Sequence, residues 1–270
     1  MKKIAWCFLL ICILSFFSCT GKTLKIKYIE DPSLAKVQMK RSLVIGVDYD
    51  VAMLSFKNDQ NELTGYDVEI FEALCAKMKI RPIFYPIDWS KKADMLNMGF
   101  IDCIISGFSI TEERKKEYRL ITPYLQNAQI IVTRAKDRYN HLADLKDKKI
   151  GVKRGSIGAA TLKKIPALDS AILVEYLNFE TLYEELREGN VDGIVVDLIS
   201  SYDKIKTQNI YKIISEPISV EFYTFAFRKN DNTLAEKIES ELKELDRQGI
   251  IPDLSKKWFG TNLSVLNVTF

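Results

Sequence analysis

The sequence predicts an α/β fold built as two similar lobes, on three observations. From Leu43 onward, short apolar strands alternate with helical stretches, which is the pattern of α/β domains. Residues 99–105 (GFIDCII) are echoed ninety positions later by residues 189–195 (GNVDGIV), and each string follows a short helix and runs into a strand. With 270 residues, 47% of them hydrophobic, the chain can bury a core in each lobe. One larger doubly wound sheet is the alternative.

The first eighteen residues predict an export signal. A basic start precedes residues 4–17, an uncharged and mostly apolar run that is too short for a membrane span, which needs about 20 residues. Ser18-Cys19 then resembles a bacterial lipobox, which implies cleavage before Cys19 and lipidation of its thiol. We therefore expect an exported protein, lipid-anchored at Cys19 to the bacterial membrane and facing the periplasm or the cell exterior. Ordinary secretion with an incidental cysteine is the alternative.

Charge and histidine content exclude several classes of function. The chain carries 39 Lys+Arg against 36 Asp+Glu, and a net charge of +3 is too weak for a nucleic-acid-binding surface. The single histidine, His141, excludes metal sites and proton relays that need two, and its polar surroundings predict an ordinary loop or helix-start residue. The sequence therefore predicts no cofactor, no metal site and no nucleic-acid partner.

The segments outside the lobes and the remaining cysteines carry no predicted chemistry. Residues 19–42 are charged and predict a tether between anchor and domain, and residues 261–270 form a mildly apolar tail. Cys75 and Cys103 fall on an amphipathic helix and within a strand. We expect two buried free thiols, although export permits a disulfide between them.

The first lobe begins with three strands and two helices in alternation. Asp67 stands where a helix N-cap belongs, because Val68, Phe71 and Leu74 follow it at helical spacing. The predicted elements are strands at 43–47, 81–86 and 101–105, and helices at 67–78 and 92–98.

Four loops occupy the position where open α/β sheets bind ligands, beyond the carboxyl ends of strands. The first lobe supplies Asp48 and residues 106–114, and the second lobe supplies residues 153–158 and Asp197. If the two lobes face each other, all four loops converge on one cleft.

The residue types in these loops fit a zwitterion. The guanidinium of Arg114 matches a carboxylate bidentately, and Asp197, which ends an apolar run, would face an ammonium. Further donors to the carboxylate are expected at a polar loop and at a helix start: Ser109, Gly107, Ser156 and Ile157. These groups predict a site for the α-carbon end of a free amino acid. A solvated residue at a helix start is the alternative for Arg114.

The same residues belong to a longer ordered set of motifs. The set comprises residues 65–70 (GYDVEI), 87–89 (IDW), 101–107 (IDCIISG), 110–116 (ITEERKK), 122–124 (TPY), 192–197 (DGIVVD) and 257–260 (KWFG). In this order they resemble the bacterial extracellular solute-binding proteins of family three, which bind polar amino acids for ABC importers. The resemblance covers nearly the whole mature domain.

The resemblance implies a periplasmic-binding-protein type II fold, in which two Rossmann-like lobes are joined by a two-strand hinge. The hinge would lie near 129–134 and 221–225. Lobe 1 would then comprise residues 43–131 and 222–260, and lobe 2 residues 132–221.

The resemblance also implies roles for the site residues. The arginine of the family's T-x-E-R motif, here Arg114, binds the ligand α-carboxylate, with Ser109 beside it. The aspartate that closes the second-lobe strand, here Asp197, holds the α-amino group. Trp89 is expected to cover the ligand side chain, whereas Val51 stands where the family commonly has a further aromatic.

Side-chain specificity is predicted to depend on Asp48 and Lys153, one at the inner end of a strand in each lobe. A facing carboxylate and ammonium suit an amide, so glutamine is the favoured ligand. If Lys153 turns outward, Asp48 favours arginine, lysine or histidine. The third possibility is that the two residues only pair with each other.

The sequence thus predicts a monomeric, non-enzymatic binding lipoprotein that captures an amino acid by clamshell closure and passes it to an ABC permease in the membrane. Two alternatives stay open. A dehydratase on the same fold would act on prephenate or arogenate. A lipoprotein whose cleft has drifted would serve as a sensor or adhesin.

Overall fold

The computed structural model describes residues 30–266 of the chain. The predicted signal peptide (1–18), the predicted lipid attachment at Cys19 and the last four residues lie outside the described residues. Within the described range, no helix combines the length and the apolar character that crossing a membrane requires.

Strands and helices alternate along the described chain, as the apolar pattern predicts. The strands are β1 (Ser42–Val47), β2 (Asp50–Val51), β3 (Ser55–Lys57), β4 (Leu63–Thr64), β5 (Arg81–Pro86), β6 (Cys103–Ser109), β7 (Tyr118–Leu120), β8 (Leu125–Arg134), β9 (Lys149–Lys153), β10 (Ile172–Tyr176), β11 (Gly193–Asp197), β12 (Tyr211–Ile213) and β13 (Ser219–Arg228). The helices are α1 (Ser33–Lys40), α2 (Tyr66–Lys77), α3 (Lys92–Asn97), α4 (Glu112–Glu117), α5 (Gly158–Leu162), α6 (Phe179–Glu188), α7 (Leu198–Thr207), α8 (Asn232–Arg247) and α9 (Ile250–Phe259).

The main sheet has two parallel parts joined by two long antiparallel strands. Its strand order is β10-β9-β11-β8-β13-β6-β1-β5, with β12 beside β8 and β7 beside β13. Strands β5, β1 and β6 run parallel, as do β10, β9 and β11. Strands β8 and β13 pair antiparallel with each other and with the strand on their outer side. The segments in which we expect the hinge, 129–134 and 221–225, lie within these two crossing strands.

Each parallel part of the sheet has its own buried core. Apolar residues between positions 37 and 125 pack with those between 223 and 251, whereas residues 130–214 form separate clusters. Strands covered on both faces read as continuous apolar runs, and for that reason β6 and β11 were recognisable in the sequence. Two cores in one curled sheet agree with the two predicted lobes, and their exact boundaries stay a prediction.

Asp67 is not the N-cap of α2, contrary to the prediction. The helix begins at Tyr66 after Gly65, whose φ of 133° and close approach to the Leu54 carbonyl suit only glycine. The Asp67 carboxylate is fully buried, and its Oδ2 accepts hydrogen bonds from the backbone N–H groups of Ser106 and Gly107 at 2.8 and 3.1 Å. Asp67 therefore fixes α2 to strand β6 instead of capping its own helix.

Strand β6 extends further than predicted. The sequence predicts that the strand ends at Ile105, but it continues to Ser109. Ser106 and Gly107 take positive φ values of 80° and 67°, and the pairing with β13 shifts register beside them. The extra residues form a bulge, which redirects the end of the strand.

The predicted tether is too long. Residues 33–40 form α1, which packs against α8 and buries Val37. The Ser33 hydroxyl lies 3.0 Å from that of Thr233, and the Asp31 carboxylate accepts a hydrogen bond from Thr233 N–H at 2.6 Å. The folded domain therefore begins near Asp31 rather than at Leu43.

The remaining expectations outside the cleft have clear outcomes. Cys75 and Cys103 are free and buried, as predicted. His141 is exposed and precedes a short 3₁₀ turn, which confirms its reading as a helix-start residue. Part of the predicted tail is ordered on the domain, because Val265 N–H donates to the Tyr124 carbonyl at 3.1 Å and the Val265 side chain is buried.

Candidate ligand-binding site

One cleft collects all nine residues that the sequence predicts for the site. It lies at the carboxyl ends of β1, β6, β9 and β11. The nine residues are Asp48, Trp89, Gly107, Ser109, Arg114, Lys153, Ser156, Ile157 and Asp197. The sequence reasoning did not select five further residues that line the cleft: Val51, Ser106, Gln129, Phe179 and Val195.

Arg114 is buried at the wall of the cleft, so the alternative of a solvated helix residue is wrong. It lies on α4, whose N-terminus is capped by the Thr111 hydroxyl, and only 9% of it is exposed. Its Nη1 donates to the Ser109 carbonyl at 2.9 Å, and its guanidinium carbon stands 4.2 Å from the centroid of the Phe108 ring. One hydrogen bond and one aromatic face thus hold the guanidinium in place, and its remaining N–H donors stay available to an anion.

The amides around Gly107 are not donors for a ligand, which corrects the prediction. The N–H groups of Ser106 and Gly107 both donate to the buried Asp67 carboxylate. Burial is the main cause that raises the pKa of Asp67, to about 6. Gly107 lines the cleft, and a Cβ at this position would stand about 3 Å from side-chain atoms of Leu54 and Tyr223.

The loop after β9 offers a second polar wall. Ser156 N–H folds back onto the Lys153 carbonyl at 3.1 Å, and the Ser156 hydroxyl accepts from Gly158 N–H at 3.3 Å. Gly155 takes a φ of 74° and packs on Ser90, where a Cβ would lie 2.8 Å from the Ser90 Cα. Ser156 and Ile157 therefore line the cleft opposite Trp89 on a tightly packed turn.

Asp197 has one oxygen engaged by three donors. The residue ends β11, and its Oδ1 accepts hydrogen bonds from Asn127 Nδ2 at 3.1 Å, Gln129 Nε2 at 2.5 Å and Tyr223 Oη at 2.7 Å. The carboxylate therefore has a fixed orientation. Burial and the nearby Glu221 raise the pKa of Asp197 to about 7.

Glu221 is a second acid at this place that the sequence reasoning missed. It is 5% exposed on β13, and its Oε1 accepts from the same two amides, Asn127 Nδ2 at 2.5 Å and Gln129 Nε2 at 2.9 Å. The available signal was a glutamate inside the otherwise apolar string SVEFYTFAF.

A cluster of charges formed by Lys153, Asp48 and Asp50 also lies at the cleft. The Lys153 ammonium lies 2.5 Å from Asp48 Oδ2 and 3.6 Å from Asp50 Oδ2, and only 3% of its side chain is exposed. It also stands 4.5 Å from the centroid of the Phe179 ring, and Phe179 N–H donates to Asp50. Phe179 thus brings an aromatic ring to a cleft in which Val51 replaces the expected one.

Lys92 closes the side of the cleft near Trp89. Its side chain is buried, and its ammonium donates to the carbonyls of Trp89 and Gly155, each at 2.9 Å. Burial lowers the pKa of Lys92 to about 7, and the nearby Arg114 guanidinium acts in the same direction. Lys92 thereby joins the α3 region to the β9–α5 loop. The described residues contain no group of three or more histidine, cysteine or acidic side chains arranged to hold a metal.

Comparison with known proteins agrees with this geometry. The family model of bacterial extracellular solute-binding proteins, family 3, matches residues 43–261. The L-cystine-binding protein TcyJ of Escherichia coli K12 is 29% identical over 241 residues, which cover 88% of this chain and 90% of that protein. Other curated relatives are binding proteins of ABC transporters. These relatives are transport proteins, not enzymes.

Solved structures share the fold. Tv2483, crystallised with L-arginine, is 52% identical with a TM-score of 0.88, and the match covers 90% of this chain and all of that one. An ancestral arginine-binding protein bound to glutamine is 32% identical with a TM-score of 0.76, over 81% of this chain and 98% of that one. The fold is that of periplasmic binding proteins of type II, as predicted. The chain belongs to the bacterial extracellular solute-binding proteins of family 3, and its function is to bind an amino acid as the solute-binding component of an ABC transporter.

Proposed function

We propose that this protein captures a free polar amino acid, with L-arginine as the first candidate and L-glutamine as the second. The two lobes would close over the ligand and present it to an ABC permease. The observation that carries the proposal is the cluster of two carboxylates, one ammonium and one aromatic ring at the cleft, formed by Asp48, Asp50, Lys153 and Phe179.

The α-carbon end of the ligand would be held at opposite walls. Arg114 would bind the α-carboxylate through the guanidinium donors that the Ser109 carbonyl does not use. Asp197 would bind the α-ammonium through Oδ2, because the three described donors all engage Oδ1. Ser109, Ser156 and Ile157 would complete the carboxylate site. Any free α-amino acid satisfies this part of the cleft, so specificity depends on the other end.

The charge balance at the other end favours a cation. Asp48 and Asp50 face the single ammonium of Lys153, which leaves one negative charge uncompensated. The Phe179 ring gives a cation a further favourable contact. In the ligand-free protein Lys153 satisfies these groups, and a ligand guanidinium would replace it there. The arginine-bound relative supports this order.

Glutamine is the second candidate. Lys153 and Asp48 together offer a donor and an acceptor, which suits a side-chain amide, and an ancestral arginine-binding protein has been crystallised with glutamine. The proposal thus reverses the order of the two ligands that the sequence alone favours.

A thermal-shift panel tests the proposal. The mature domain is heated with each of the twenty amino acids and with L-cystine, and hits are measured by calorimetry. At a ligand concentration of 100 times Kd, binding stabilises the folded state by about 2.7 kcal/mol. We expect the largest rise in Tm with L-arginine. Tight binding of only L-leucine or L-glutamate would exclude both candidates.

The membrane attachment is part of the same proposal. Lipidation at Cys19 would keep the domain at the surface where the permease lies, because several acyl chains at one residue hold firmly. Metabolic labelling with palmitate tests it. Label on the wild type that disappears in Cys19→Ala supports the anchor, and an unlabelled wild type refutes it.

A further inference from the structure

Asp197 and Glu221 compete for the same hydrogen-bond donors. The side-chain amides of Asn127 and Gln129 each donate to Asp197 Oδ1 and to Glu221 Oε1, at distances between 2.5 and 3.1 Å. Because both carboxylates accept from the same two nitrogens, the two acids are held close together at the buried end of the cleft.

The second oxygen of Glu221 has no hydrogen-bond partner. Glu221 Oε2 is buried without a described donor, and only 5% of the residue is exposed. Burying an ionised carboxylate without a hydrogen bond to this oxygen costs desolvation free energy that no contact offsets. A protonated carboxyl group carries no charge to desolvate. Two carboxylates in contact therefore favour one shared proton.

Among the described residues, no cation forms a salt bridge with either acid of the pair. Arg114 acts on both acids electrostatically, but its nearest described contacts are the Ser109 carbonyl and the Phe108 ring. The hydroxyl of Tyr223 donates a hydrogen bond to Asp197. The negative charge of Asp197 also contributes to the raised pKa of Tyr183. The shift in the pKa of Asp197 to about 7 is consistent with a pair that keeps a proton near neutrality.

We infer that Asp197 and Glu221 share one proton in the ligand-free protein and release it to solvent when the ligand ammonium binds. The inference rests on the proposed function, because the ammonium must bind at Asp197. The proton leaves a carboxyl O–H bond for a buffer base, and the ammonium contact replaces it. Glu221 is thus a positioning residue that couples capture of an amino acid to the loss of a proton.

Calorimetry in two buffers measures this coupling. L-arginine is titrated into the mature protein at pH 6.0 and at pH 8.5, each in two buffers of different ionisation enthalpy. A group with a pKa near 7 is about 90% protonated at pH 6, so about 0.9 proton should be released per bound ligand at pH 6 and about 0.1 or fewer at pH 8.5. The apparent affinity should rise almost tenfold per pH unit below about pH 6, about fivefold between pH 6 and pH 7, and level off above pH 7.

Three variants assign the proton. Glu221→Gln removes the second acid and its repulsion but leaves Asp197 buried, so proton release at pH 6 should fall to about half of the wild-type value or less. Glu62→Gln, an exposed acid on the edge of the small sheet formed by β2–β4, should keep the wild-type release. Lys92→Met tests the neighbouring group whose pKa is lowered to about 7: it should bind L-arginine more weakly, but at a saturating ligand concentration its proton release per bound ligand should equal that of the wild type.

The outcomes separate the inference from the proposed function. Binding of L-arginine with no net proton release at pH 6 overturns the inference and leaves the function standing. Proton release that stays at the wild-type value in Glu221→Gln and disappears in Lys92→Met also overturns it. Absence of binding to any amino acid removes the proposed function, and the inference with it. The expected fall in release in Glu221→Gln alone supports the acid pair.

Discussion

The Lys153 ammonium is bonded to the Asp48 carboxylate at 2.5 Å, across 105 residues of sequence and between the ends of two different strands. Lys153 ends β9, and Asp48 directly follows β1. These two residues therefore pair with each other, which is one of the possibilities that the sequence leaves open. Because Asp50 and the Phe179 ring flank the same ammonium, the pair marks the place that a ligand side chain would enter.

Replacing Lys153 distinguishes the two candidate ligands. In Lys153→Met the ammonium is lost and the two carboxylates remain, so L-arginine should bind at least as tightly as in the wild type. L-glutamine should bind about tenfold or more weakly, since its side-chain carbonyl loses a charged donor. Calorimetry with both ligands measures the difference. Arginine and glutamine affinities that fall by the same factor would contradict the assignment of this end of the cleft.

Arg114 should be essential for binding. Arg114→Ala removes the only guanidinium among the residues that line the described cleft, and it leaves the ligand carboxylate desolvated without its charged partner. The loss of affinity should be about 100-fold or more, which corresponds to about 3 kcal/mol. Arg247→Ala, which removes an exposed arginine paired with Glu244 on α8, is the matched control and should bind like the wild type. Near-normal affinity in Arg114→Ala would refute the carboxylate site.

The Asp67 carboxylate should stabilise the fold and the cleft wall together. Asp67→Asn leaves one acceptor oxygen where the carboxylate has two, for donors on Ser106, Gly107 and Tyr124. We expect the free energy of unfolding in urea to fall by about 1–3 kcal/mol at pH 7. Asp59→Asn, at an exposed position, should change it little.

The pH dependence of this effect has a defined sign. Burial raises the pKa of Asp67 to about 6 from an ordinary value of 3.8, so the folded state binds more protons than the unfolded chain between those values. The contribution of Asp67 to stability therefore increases as the pH falls from 6 towards 4. Urea unfolding at pH 4.5 and pH 7 should show this gain in the wild type, relative to Asp67→Asn. An identical pH difference in both proteins would show that the shift in pKa is absent.

The contribution of Lys92 to the stability of the folded protein should be more favourable in alkaline than in neutral solution. Burial lowers the pKa of Lys92 to about 7 from 10.5, so between these values the unfolded chain binds more protons and stability rises with pH. Lys92→Met should flatten that rise when unfolding is followed from pH 7 to pH 10. It should also weaken ligand binding several-fold at every pH, because the bond to the Gly155 carbonyl is lost. If the stability of Lys92→Met varied with pH as that of the wild type does, this would contradict a lowered pKa of Lys92.

Apolar runs predicted strands β1, β6 and β11 because these strands are buried along most of their length. Arg114 and Asp197 were predictable for a related reason, since each stands at a fixed offset from such a run. The role of Asp67 could not be predicted from its neighbours in the sequence. A helix-start aspartate looks like a local cap, and its actual partners lie about forty residues away.

Partners that are distant in sequence explain the other omissions. Phe179 reaches the cleft because its N–H meets Asp50, and nothing near residue 179 indicates that contact. In the sequence, Glu221 stands within a strand pattern and Lys92 within a helix pattern, and neither pattern indicates a contact at the cleft. Only the packed structure shows that one meets Asp197 and the other meets Gly155.

The groups that surround the Asp197 carboxylate all lie on the crossing strands, with Asn127 and Gln129 on β8 and Glu221 and Tyr223 on β13. Any bend of those strands would therefore rearrange the hydrogen bonds of the acid that we propose as the partner of the ligand ammonium. Substitutions made there to alter flexibility would also change the local electrostatics. In this protein, mechanical and chemical effects of such changes can be told apart only when motion and protonation are recorded on the same sample.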